Sequence, residues 1–74
     1  MHTTDMVMHV DETLAAGNRR DLERTITAQR GVLHAHFNEQ RPHLMLVSYD
    51  RERISSFDIL ATMSGQHLCA ERIG

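Results

Sequence analysis

The 74-residue chain holds one cysteine, no lysine and no long hydrophobic run, and each scarcity removes a class of protein. Cys69 alone cannot close an intramolecular disulfide, and it cannot supply the paired thiolates of a cysteine zinc site or a C-x-x-C loop. A reducing compartment, the cytoplasm, is the expected location. No stretch approaches 18 apolar residues, and the start Met1-His2-Thr3-Thr4-Asp5 lacks a basic region followed by an apolar one. Neither membrane insertion nor export is expected. All eight basic residues are arginine, against ten acidic ones, and the formal charge of -2 provides no general basic field for nucleic acid. The sequence contains no G-x-S-x-G, H-E-x-x-H, phosphate loop or G-x-G-x-x-G, and its four glycines stand apart. A thiolate enzyme would have to rest on Cys69, a nearby histidine and Glu71, in a chain too thin for a deep pocket; catalysis is not expected.

What is present fits one small packed domain spanning residues 1–74, with 41% hydrophobic and 24% charged residues. Six histidines are the compositional anomaly, since imidazole titrates near neutrality and ligates metals.

Met6 to Asp11 reads as a first strand. From Thr13 to Arg30, Leu14, Leu22 and Ile26 recur at helical spacing, with Asn18 as the expected N-cap, Asp21 in the first turn and Gly31 as the stop. Val32–Phe37 and Leu44–Tyr49 read as two strands joined by a hairpin through Asn38–His43, which contains Pro42. Ser55 and Asp58 form the pattern of a capping box, Ile54 is placed to staple onto Ile59, and a second helix runs from there to Gly65. Phe57, Leu60, Ala61 and Ser64 are its expected buried stripe. His67 to Ile73 is a final short strand. The order β-α-β-β-α-β predicts an α+β fold, the ferredoxin-like sandwich, with two helices on one face of a four-stranded antiparallel sheet and the other face open.

Gly31-Val32 after the first helix, Val47-Ser48-Tyr49-Asp50 ending the third strand, Ile54-Ser55 opening the second helix and Gly65 closing it resemble the heavy-metal-associated domains of copper chaperones and P-type metal ATPases. The resemblance spans nearly the whole chain and implies a role in binding or moving a soft metal ion. The family's M-x-C-x-x-C loop falls on Thr13-Leu14-Ala15-Ala16-Gly17-Asn18, so Ala15 and Asn18 stand where the resemblance would place the two cysteines. Neither offers sulfur to Cu(I).

Strand alternation suggests replacements. With Met6, Met8 and Val10 facing the helices, Val7 and His9 face outward; with Ala35 and Phe37 inward, His34 and His36 form an outward H-x-H pair about 7 Å apart at their Cα atoms. On the last strand Leu68 and Ala70 are expected inward, leaving His67 and Cys69 outward beside His9. Two partial sites follow, His34 with His36, and His9 with Cys69 and His67, kept apart by the third strand. Imidazole-rich, open-shelled sets suit zinc, copper(II) or nickel, and a second copy of the chain could complete the coordination. His43 beside Pro42 reads as loop surface, and His2 as an adventitious chelator. Met6, Met8, Met45 and Met63 read as core filler. The leading expectation is a metal-binding or metal-trafficking accessory protein whose ligands are His34, His36, His9, His67 and Cys69, with a metal-transport protein as partner. The other is a metal-free module that forms a homodimer or docks to a partner through the open sheet.

Overall fold

Strict alternation shapes the first strand, β1 (Thr3–Val10), in which Met6, Met8 and Val10 are fully buried while Val7 and His9 are only half-buried. The computed structural model describes residues 2–74, and continues with α1 (Ala16–Thr27), β2 (Val32–Phe37), β3 (Leu44–Asp50), α2 (Ser56–Gly65) and β4 (Ala70–Arg72). The strands form one antiparallel sheet in the order β2-β3-β1-β4. This is the ferredoxin-like sandwich that the order of elements predicts. Leu22 and Ile26 of α1 and Ile59 and Met63 of α2 close over Met6, Met8, Ala35, Phe37, Met45, Val47 and Tyr49. Each large side chain removed from water in this way contributes about 1.5–3 kcal/mol, which makes this single layer the main source of stability. All four methionines expected in the core are fully buried there.

Local differences from the sequence pattern have identifiable causes. β1 begins earlier than Met6 and ends at Val10, because Thr3 and Thr4 continue the ladder opposite Asp50 and Tyr49 of β3. In β2 the register slips between Val32 and His34, so Leu33 is an extra residue opposite the Tyr49–Ser48 step. This bulge resets the alternation. Val32 and Ala35 can therefore both face the core, and His34 and His36 both face outward.

Helix α1 starts at Ala16 with Ala15 as its N-cap, so Asn18 does not cap it and Asp21 lies beyond its first turn. Tertiary ties override cap chemistry here. Arg19 donates to the Leu14 carbonyl at 2.6 Å, and Leu14 packs against the core, which fixes the chain direction before the helix. Asp21 pairs instead with Arg24 at 2.6 Å on the exposed side.

Helix α2 has the predicted capping box: Ser55 accepts from the Asp58 N–H, and Asp58 accepts from the Ser55 N–H. Ile54 and Ile59 are both buried, as the staple requires. The staple fixes the rotation of the helix, and the predicted stripe holds only at Leu60, which packs partly buried against the core. Ile59 and Met63 face the core, whereas Phe57 is 83% exposed and Ala61 and Ser64 are exposed. The helix closes with a left-handed residue, His67 at φ 61°; the His67 N–H bonds the Ser64 carbonyl and the Leu68 N–H bonds that of Met63. This is a Schellman closure, with Leu68 partly buried against the core. Because the turn consumes His67 and Leu68, β4 cannot begin at His67 and starts at Ala70.

Asp50, 3% exposed at the end of β3, organises the turn into α2. Its carboxylate accepts from the N–H groups of Glu52 at 3.0 Å and His2 at 3.4 Å, and Arg53 approaches at 3.4 Å. The Glu52 N–H above all, with His2 and Arg53, holds the carboxyl below its ordinary value of 3.8. A carboxyl depressed by folding stabilises the native state above its unfolded value and stops doing so as pH falls below it. The stability gap between the natural chain and an Asp50→Asn variant is therefore expected to be wide at pH 7 and to narrow progressively below about pH 4. Urea midpoints at pH 7 and pH 3 measure it; a gap independent of pH would show that the charge of Asp50 does not contribute.

Candidate metal-binding face

The helices cover one side of the sheet, and the side chains on its other side stand in cross-strand rows. His36 lies opposite Leu46, and Leu46 opposite Val7; His34 lies opposite Ser48, and Ser48 opposite Asp5. Ser48 donates to the Asp5 carboxylate at 2.6 Å. Leu46 is 40% exposed and separates the histidines of β2 from those at β1.

His34 and His36 come together as the parity predicts. Their rings stack with centres 6.0 Å apart and planes 28° from parallel. A metal lies in the plane of each imidazole that holds it, about 2.0–2.1 Å from the nitrogen, so two rings with centres within about 6.5 Å share one ion only after turning out of the stack. Glu23 of α1 approaches this pair. Its Oε2 lies 3.6 Å from His36 Nδ1, too far for a hydrogen bond, because the same oxygen accepts the Phe37 N–H at 2.7 Å. A shallow cleft of about 510 Å³ between α1 and β2 brings Arg19, Arg20 and Glu23 beside His36.

The second predicted group is dispersed at one member. His67 is exposed in the closing turn of α2, outside β4. His9 lies opposite Glu71 of β4, and the Asp11 N–H bonds the Cys69 carbonyl at 2.9 Å, which puts Cys69 one diagonal step from His9. Cys69 is exposed, but its surroundings disfavour a thiolate. The Glu12 carboxylate accepts the Cys69 N–H through both oxygens, at 2.9 and 3.1 Å. That bond holds Glu12 below the ordinary carboxylate value, and the Glu12 charge, with some desolvation, pushes the Cys69 thiol up. Among the described residues, no three His, Cys, Asp or Glu side chains converge as a metal cluster.

One residue that the sequence reading leaves on the surface belongs to this region. His43 is half-buried, its Nδ1 lies 2.7 Å from the Val10 carbonyl, and its ring stacks on that of His9 with centres 5.7 Å apart and planes 19° from parallel. The signal was present in the pairing of β1 with β3: an antiparallel register that sets Leu44 opposite His9 brings the residue before Leu44 to the same end of the sheet.

Fold and open face together define a ferredoxin-like βαββαβ domain with one uncovered sheet face. Solved structures of that type superpose on nearly the whole chain. Oxidized MerP from Ralstonia metallidurans matches with a TM-score of 0.85 at 11% identity, covering 97% of this chain and 99% of that one. The N-terminal domain of a potential copper-translocating P-type ATPase from Bacillus subtilis, in its Cu(I)-loaded state, matches with a TM-score of 0.86 at 17% identity over 97% of this chain and 89% of that one. The CopZ metallochaperone matches at 0.78 and 14% identity over 95% of this chain and all of that one. No family model matches the sequence, and no curated protein does. At such identities the likeness concerns the fold, and chemistry has to be argued from the residues.

Proposed function

We propose that this protein binds a divalent transition-metal ion through imidazoles on its open sheet face and acts as a metal-trafficking accessory in the cytoplasm. The observation that carries the reading is the His34–His36 pair, two rings 6.0 Å apart on a solvent-facing strand. It is supported by the shared fold, found in a domain of a potential copper-translocating P-type ATPase and in a protein named as a metallochaperone. Ala15 and Asn18 stand at the start of α1, where the resemblance would put cysteines, so a soft Cu(I) cargo has no thiolate pair to meet. Imidazole pairs favour Cu(II), Ni(II) and Zn(II), with Cu(II) strongest. Cys69 is the weakest donor of the set, because metal would have to displace a proton that Glu12 helps to retain. Water, or the same face of a second copy, would fill the remaining positions, and a metal-transport protein is the partner to which such cargo would pass.

The test is calorimetric titration of the full chain with Zn(II), Ni(II) and Cu(II). His34→Ala/His36→Ala is expected to remove binding of one ion per chain and to leave the far-ultraviolet spectrum unchanged, since both residues are exposed. Unaltered stoichiometry and affinity in that variant would overturn the assignment. Absence of binding in the natural chain would leave the open face around the exposed Leu46 and half-buried Val7 as a docking surface for protein.

A further inference from the structure

The stack of His9 on His43 has a property that the His34–His36 pair lacks: both of its ring tautomers are determined by their neighbours. The Val10 carbonyl can only accept a hydrogen bond, so His43 Nδ1, 2.7 Å away, must donate. A carboxylate oxygen likewise accepts, and Asp11 Oδ1 lies 3.0 Å from His9 Nδ1. In its neutral form each imidazole therefore carries its proton on Nδ1 and keeps a lone pair on Nε2. This is the arrangement by which metal-binding histidines are oriented, one nitrogen held by a carbonyl or carboxylate and the other free to ligate.

We infer that His9 and His43 form a second divalent-metal site, with both Nε2 atoms as ligands and Asp11 and the Val10 carbonyl as the groups that orient them. The ring centres are 5.7 Å apart and the planes 19° from parallel, and since a metal lies in the plane of each imidazole that holds it, the rings swing out of the stack, each about its Nδ1 hydrogen bond, to bring both Nε2 lone pairs onto one ion at about 2.0–2.1 Å. The rings border an open depression of about 400 Å³ together with Arg41 and Leu44, which leaves room for water on the remaining coordination positions. Arg41 opposes a cation there and Asp11 favours one, so the balance falls to the imidazoles, and the order of affinity follows that of nitrogen ligands, Cu(II) above Ni(II) and Zn(II). His9 thus takes as its partner the residue before β3, in place of His67 in the turn after α2. The biological use of the site rests on the metal-carrying reading above; its geometry does not.

Zn(II) chloride is the probe, added to the full ¹⁵N-labelled chain at pH 7.5 and followed by long-range proton–nitrogen correlation of the imidazoles. The expected result is a joint shift of Nε2 of His9 and His43 that saturates and that is lost in His43→Ala and in the more conservative His43→Gln, while the shift at His34 and His36 persists. In His34→Ala/His36→Ala the shift at His9 and His43 should remain. Response of His34 and His36 alone would overturn this site and leave the proposed function standing. A response of His9 that survives both His43 variants would overturn the pairing, and silence of all four rings would overturn the site and the proposed function together.

Discussion

Ile59→Ala is expected to destabilise the fold by about 3–4 kcal/mol, enough to populate the unfolded chain at 37 °C. Ile59 has no exposed surface and sits where α2 meets the sheet, stapled by Ile54 at the helix entrance and followed one turn later by the equally buried Met63. Alanine there removes three carbons from a layer with no second core behind it, and the rigid sheet beneath can collapse only partly into the space. A domain of this size has a total stability of about 4–11 kcal/mol, so the loss is a large fraction of the whole. Phe57→Ala in the same helix supplies the contrast. Phe57 is 83% exposed, and its removal should change stability by no more than about 0.5 kcal/mol. Urea unfolding followed by circular dichroism measures both. Equal costs for the two variants would show that the helix is not oriented by its staple.

Gly31→Ala is the second large effect, at about 2–4 kcal/mol of lost stability. Gly31 has φ 96°, outside the range that side-chain-bearing residues accept, and a Cβ there would meet Arg53 Cβ and Ile54 Cγ2 at 2.9 Å and Ile54 Cβ at 3.2 Å. Two penalties therefore combine. The backbone must either hold a strained angle or rotate, and the side chain it would displace is the buried Ile54 that begins the staple. The Gly31 carbonyl also accepts the Asp50 N–H at 2.8 Å, so rotation would loosen the end of β3. A denaturation midpoint within error of the natural chain would show that this crossing of two loops is pliant. Gly17→Ala, where an added Cβ meets nothing within 4 Å, is the matched control.

Most of the architecture is legible in the sequence because its informative signals are local. The alternation in Met6–Val10, the capping box at Ser55 and Asp58, and the staple of Ile54 on Ile59 each specify an element without reference to the rest of the chain. Features that depend on remote partners are not legible in this way. Leu33 bulges because Val32 and Ala35 both find places in the core, and nothing in Val32–Phe37 read alone requires the extra residue. Helix α1 ignores Asn18 because Arg19 and Leu14 set its start. Phe57 looks buried by type, but the staple of Ile54 on Ile59 turns it to solvent. Among the candidate ligands, His34 and His36 could be placed together from parity alone, whereas the nearness of His43 to His9 exists only once β1 and β3 are paired.

The hydrogen bond from Phe37 to Glu23 also determines what the molecule does not do. β2 is an outer strand, and an outer strand with free amides invites another extended chain to add itself. At Phe37 that amide is already bonded to a carboxylate arriving from α1, so an incoming strand would have to displace the bond and accept a negative charge beside its own carbonyls. The helix thereby guards this end of β2 against the addition of a further strand and the open-ended polymerisation that would follow.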